Sequence, residues 1–247
     1  YTILLNKANK TDEAIEIYKN IILELSDQAY AWHEFANIFK HRNKLLSISM
    51  LCKAITIQPN EDFLGEIRLD LAELLLDNEQ LKEGLIELTK YKKHREEKGW
   101  KTPERFKILF SKVSDIECSS LDNKTFYESS KLKAEEYILS NIPSTYVVLY
   151  ETFKNKEGKE RLIFTDFKDI EFVTNRKKSH SLVNAKKNDI FEAKLHYDNA
   201  NQRYLVLKIE KSLHTIDEII DNAQEEIAII DHINTQKKLF HYVINSR

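Results

Sequence analysis

Through the first half of the chain, apolar residues recur at intervals of three and four. Between Asp12 and Leu25 they fall at Ala14, Ile17, Tyr18, Ile21, Ile22 and Leu25, one face of a helix whose start Thr11 is placed to cap. A second helix carries Ala31, Trp32, Phe35, Ala36 and Phe39 in the same large–small–large order. Ser47, Leu51 and Ala54 follow on a third, closed by Pro59, and Ala72, then Gly84, Leu88 and Tyr91, mark two more. Small residues recur at 14, 47 and 84, spacings of 33 and 37, and such a period predicts stacked helical hairpins. Thr102-Pro103-Glu104 opens another helix with Pro in its first turn, and Phe106, Leu109, Phe110 and Val113 form its apolar face. The polar stretch 117–124 reads as a loop. A last helix over about 125–140 offers Phe126, Leu132, Tyr137 and Ile138 for burial before Pro143 breaks the chain.

Beyond Pro143 the period changes. Tyr146–Phe153, Arg161–Thr165, Asp169–Val173, Asn188–Leu195 and Arg203–Ile209 are short, β-branched and aromatic, and turn residues separate them. Five such strands in so short a stretch suit a small closed barrel. Residues 213–225 read as a linker or short helix, and residues 226–247 as a further hairpin turning at Asn234–Lys237. The expected class is therefore α + β multidomain: an α–α solenoid over 1–143, then a five-stranded barrel over 144–212.

Composition narrows the chemistry. Four Gly, at 65, 84, 99 and 158, share no neighbourhood, so a glycine-rich phosphate loop is excluded. Cys52 and Cys118 cannot make a disulfide framework or a four-cysteine zinc site, and read as buried small apolar groups. The histidines have no companion ligands at metal spacing; His33 and His41, eight apart, are too far to share an ion unaided. No nucleophile elbow or zincin motif occurs, so no metal, cofactor or catalysis is expected. No apolar run spans a membrane and no secretory leader is visible, which makes the cytoplasm the expected compartment. The overall net charge of −2 hides an asymmetry: 144–212 carries 14 Lys+Arg against 10 Asp+Glu, whereas both flanking segments are net acidic. An anionic partner is therefore sought in the barrel.

On Trp32, Phe35, Ala36, Phe39, Ser47, Leu51, Ala54 and Pro59 the first half resembles the tetratricopeptide repeat family. The resemblance implies a concave groove for a protein partner, lined in one repeat by Tyr30, His33, Asn37, Lys40 and His41. Asn37 and Lys40 match positions with which that family holds a peptide's backbone and terminal carboxylate. A general docking groove, or a face with internal packing duties only, fits the same residues. Counting back from Ala14 places Tyr1 midway along a first helix, so the chain is expected to be a piece of a longer polypeptide.

The order of strands resembles the cold-shock branch of the OB-fold family: a long first hairpin, a short Asp169–Val173 strand, a Lys186-Lys187-Asn188-Asp189 turn and a last strand at Tyr204–Ile209. Leu162 and Phe164 stand at that family's two aromatic positions, leaving one stacking ring. The resemblance implies contact with RNA or single-stranded DNA. The residues suited to it are Arg161, Phe164, Arg176, Lys177, Lys178, His180, Lys186 and Lys187, cations for a backbone track and a ring for a base. Solvated loop lysines around a core Phe164 would read the same way. Residues 226–247 look like the first hairpin of a second such domain, with Leu239 and His241 at the aromatic positions. Helical repeats joined to cold-shock-like domains resemble proteins of bacterial antiphage conflict systems. The expected role is a non-enzymatic adaptor joining a protein partner to nucleic acid. A pure protein scaffold, or the sensor portion of a larger defence enzyme, are the alternatives.

Overall fold

The computed structural model describes residues 11–117, 122–220, 228–234 and 239–244. The expectations for Tyr1, for Cys118 and for most of the Asn234–Lys237 turn lie outside them. Two units separate: among the described residues, one holds seven helices and the other nearly all of the strand residues.

The helices are α1 (Thr11–Glu24), α2 (Ala29–Phe39), α3 (Lys44–Ile57), α4 (Gly65–Leu76), α5 (Leu81–Glu97), α6 (Glu104–Ser111) and α7 (Lys124–Leu139). Short connections fold α2 on α3 and α4 on α5 as hairpins. Trp32 Nε1 donates to Ser26 O at 2.9 Å and pins the α1–α2 turn. The Asn43 side chain caps α3 by accepting from Leu46 N. The recurring small positions have a packing reason. Ser47 is buried with its hydroxyl on Ala36 O, 2.8 Å away. A Cβ on Gly84 would stand 2.7 Å from Leu76 Cδ2, so glycine lets α5 approach α4 closely.

One helix departs from simple stacking. α7 does not continue outward from α6 but lies along α3 and also meets α1. Its buried residues are Tyr127, Ala134 and Ile138. Of the expected contacts, Ile138 is buried and Tyr137 packs edge-on to Phe39 at 5.5 Å, but Leu132 is 57 % exposed. The face presented to α3 carries Ala134 instead, where a small residue brings the backbones together. Ser49 exploits that approach: its hydroxyl donates to Ser130 O and accepts from Ala134 N at 2.8 Å. Covered by α2, α4 and α7, α3 is buried nearly all round, as its apolar residues at 46, 48, 50–52, 54 and 55 require.

The strands are β1 (Ser144–Lys154), β2 (Glu160–Thr165), β3 (Glu171–Thr174), β4 (Ile190–Asp198) and β5 (Arg203–Lys211), in the antiparallel order β3-β2-β1-β4-β5. The sheet curls into a half-barrel that brings β3 near β5. The expected closed cylinder is therefore an open curl. The segment after β3 helps to close it: Ser179 Oγ donates to Ile209 O at 3.0 Å, and Leu182 and Ala185 enter the core. Val147, Leu149, Leu162, Phe164, Phe172, Phe191 and Ile209 fill the inside. The β1–β2 register slips between Leu149 and Glu151, leaving Tyr150 as a bulge. A short helix, α8 (Ile216–Ile220), follows, and β6 (Ala228–Asn234) pairs with β7 (Leu239–Ile244) as an antiparallel hairpin.

Candidate nucleic-acid interface

The outward face of β2 follows from the core. Leu162 and Phe164 point inward, so Arg161, Ile163 and Thr165 point out. Phe153 of β1 stands opposite Arg161, and Val173 of β3 opposite Ile163. Phe153 is 40 % exposed and Val173 51 % exposed. This row is the half-apolar, half-cationic surface on which a base can stack beside a phosphate. Phe164 cannot serve there. It is fully buried, stacked on Phe172 at 5.2 Å and edge-on to Phe191 at 5.3 Å, so its faces are taken by the core.

The expected cations divide in two. Arg176 is a fastener: it donates to Leu182 O and Ala185 O, each at 2.9 Å, and its Nε to Glu160 Oε2 at 2.6 Å. The hydrogen bond to Glu160 raises its already high pKa and holds the Glu160 carboxyl below its ordinary value. Its charge is committed to the fold. Lys177, Lys178 and His180 are exposed on 3-10 turns spanning Arg176–Lys178 and His180–Leu182. Lys186 and Lys187 are exposed in the turn before β4. Among the described residues, Lys177, Lys186 and Lys187 make no ion pair. The Lys187 ammonium lies 5.5 Å from the centroid of Tyr150, the exposed bulge ring. Sequence reasoning missed Phe153, Tyr150 and Val173. The alternation that could have found them is hidden by three successive apolar residues, Leu162-Ile163-Phe164.

On the helical unit, His33 and Lys40 come together, while Tyr30, Asn37 and His41 stay exposed outside the cluster. His33 Nε2 is 2.6 Å from Asp70 Oδ2, and the Lys40 ammonium 2.6 Å from Glu73 Oε2. Arg105 of α6 completes the ladder, with Nη2 at 2.5 Å from Asp70 and 2.7 Å from Glu73. Three helices are thus joined across one face by internal charges, and Lys40 is already engaged. Burial pushes Asp70 and Glu73 up, but the hydrogen bonds from His33 and Arg105 (Asp70), and from Lys40 and Arg105 (Glu73), outweigh it and hold both carboxyls below their ordinary values. Groups with depressed folded values stabilise fully above the ordinary carboxylate range, near pH ~4, and lose that contribution as pH falls through the lower folded values. Arg105→Ala is therefore expected to flatten the acid limb of a pH–stability curve followed by helical circular dichroism. An unchanged limb would show that the ladder adds nothing.

Among the described residues, no group of three His, Cys, Asp or Glu is placed to hold a metal, and no helix is long and apolar enough to cross a membrane. Cys52 is buried, and that burial pushes its thiol far up, leaving it unreactive.

The model of a domain of unknown function, DUF7017, matches residues 1–134, more than half of the chain. The chain belongs to the DUF7017 family. In this DUF7017 protein the match covers α1 to α6 and most of α7, so the helix lying along α3 falls within the family's own region. A second model, the S1/CSD-like domain 1 of the TOTE conflict systems, matches residues 220–247, which include the β6–β7 hairpin. No curated protein and no solved structure matches the chain.

Proposed function

We propose that this DUF7017 protein is a non-enzymatic adaptor of a conflict system, in which the sheet unit binds single-stranded nucleic acid and the helical unit docks a protein partner. The observation that carries the nucleic-acid half is the outward Phe153–Arg161 pair, a ring and a cation side by side on neighbouring strands. Lys177, Lys186 and Lys187, exposed and without an ion pair among the described residues, supply backbone neutralisation in the same net-basic unit. The match of residues 220–247 to an S1/CSD-like domain of conflict systems supports both the ligand class and the setting. For the helical half, support comes from the exposed Tyr30, Asn37 and His41 beside the ion ladder.

Filter binding of labelled single strands tests the reading. Affinity is expected to fall with salt at about 0.7 log units per neutralised phosphate for each tenfold rise. Reversing Lys177, Lys186 and Lys187 to Glu is expected to abolish retention with the fold intact. Absence of retention at low salt would remove the nucleic-acid half. A pure protein scaffold is the second reading, favoured by the internal duties of Phe164 and Arg176. It requires the triple reversal to leave every partner interaction unchanged.

A further inference from the structure

A cleft of about 510 Å³ opens on the sheet unit between the start of β1, the β2–β3 loop and the connector after β5. That volume lies in the range of small-molecule sites. Its wall is an ordered aromatic pair. The Tyr146 and His214 rings meet edge to face with centroids 4.5 Å apart, and His214 Nε2 is 3.1 Å from the Tyr146 hydroxyl. On its other side, His214 Nδ1 lies 3.2 Å from Glu218 Oε2, and Glu218 is itself held by Thr215 N at 2.7 Å. These bonds hold both rings in place while Tyr146 stays 39 % exposed.

The polar groups around the rings are mixed, with carboxylates in excess. Lys168 lines the cleft with no ion pair among the described residues. Asp166 faces it with one oxygen occupied by Lys168 N and Ile170 N, and with no partner on the other. Lys168 stands against two carboxylates, Asp166 and the hydrogen-bonded but still charged Glu218, which gives a phosphate no net attraction. A flat ligand carrying both donors and acceptors on its edge suits the site better: its face stacks on Tyr146 and its edge meets Lys168 and Asp166.

We propose that this cleft is a nucleobase-binding site. It shares no residue with the outward row of β2, so it does not rest on strand binding by that row. The base can come from a free nucleoside or from a strand, and the experiment separates the two.

Adenosine, guanosine, cytidine and uridine are titrated into the full chain while the His214 ring resonances are followed by NMR. At least one nucleoside is expected to shift them saturably at millimolar concentration or below. Tyr146→Leu should weaken that nucleoside by about 5- to 150-fold, the weight of one base–ring stack, and Tyr146→Phe should keep most of the affinity. Should Tyr146→Leu unfold, Lys168→Ala on the exposed loop is expected to cost about 2- to 10-fold, one hydrogen bond. A saturable shift from a short oligonucleotide assigns the base to a strand; a shift from nucleosides alone assigns it to a free ligand. No saturable shift with any of the four, or unchanged affinity in a folded Tyr146→Leu and in Lys168→Ala, overturns the site. Nucleoside binding without filter retention of strands would leave the cleft standing and remove the nucleic-acid half of the proposed function.

Discussion

Glu87→Ala is expected to destabilise the helical unit by about 3–5 kcal/mol, the cost of breaking a buried ion pair by removing one partner. Glu87 is fully buried and sits at the centre of a polar knot joining α4, α5 and α7. Arg68 Nη1 donates to its Oε2 at 2.5 Å, and the Tyr127 hydroxyl and Asn123 Nδ2 donate to its Oε1, the latter at 2.7 Å. Arg68 is 3 % exposed; its Nη1 also donates to the Tyr127 hydroxyl at 3.2 Å, and Glu61 holds its far side at 2.8 and 3.0 Å. Alanine thus removes the buried counter-charge of Arg68 and takes one acceptor from a guanidinium, a phenol and an amide at once. Burial and the neighbouring Glu87 carboxylate push the Tyr127 phenol well above its ordinary value, so it remains a proton donor across the working range. The knot also explains α7's start: Asn123, a residue type suited to capping, makes no cap and spends its amide on Glu87 and Glu83 O. Chemical denaturation followed by helical signal checks the loss. Tyr127→Phe, which removes one donor and keeps the ring, should cost clearly less. Equal losses would place the stability in packing of α7 and not in the knot.

The two halves of the molecule were legible to different depths. The three-and-four spacing finds α1 to α6 because each buries apolar residues at that spacing, and Ala14, Ser47 and Gly84 are small residues buried between helices. The destination of α7 was not legible. It is held by Ser49, Lys53 and Glu87, residues that read as surface in a one-dimensional pattern. The signal lay on α3, where residues 46–52 are apolar or small on every side, so a third cover was needed. His33 and Lys40 were read as groove residues, but Asp70, Glu73 and Arg105, which engage them, come from helices more than thirty positions away, and nothing local announces an ion ladder. In the sheet unit the strands follow from composition, whereas the facing of β2 does not. A run of three apolar residues permits either frame, and a shift of one exchanges inside and outside. Phe164 and Phe153 consequently trade roles.

That exchange gives the second large effect. Phe164→Ala should cost the sheet unit about 3–5 kcal/mol, because it removes the ring between Phe172 and Phe191 and leaves a cavity in the core. Much of that unit's stability would go, and nucleic-acid binding with it, so a binding loss in this variant says nothing about contact. Phe153→Ala is the opposite case. Its ring is 40 % exposed on the outward face and its register partner is Arg161, so the fold should keep its melting temperature. Binding of a labelled single strand should still weaken by about 1–3 kcal/mol, the value of one base stacked on one ring. Thermal melts and fluorescence anisotropy on both variants separate the roles. If Phe153→Ala binds as the parent does, the ligand does not lie on the β1–β2 face. The exposed lysines would then hold a strand by charge alone, and its affinity would show salt dependence without any dependence on rings.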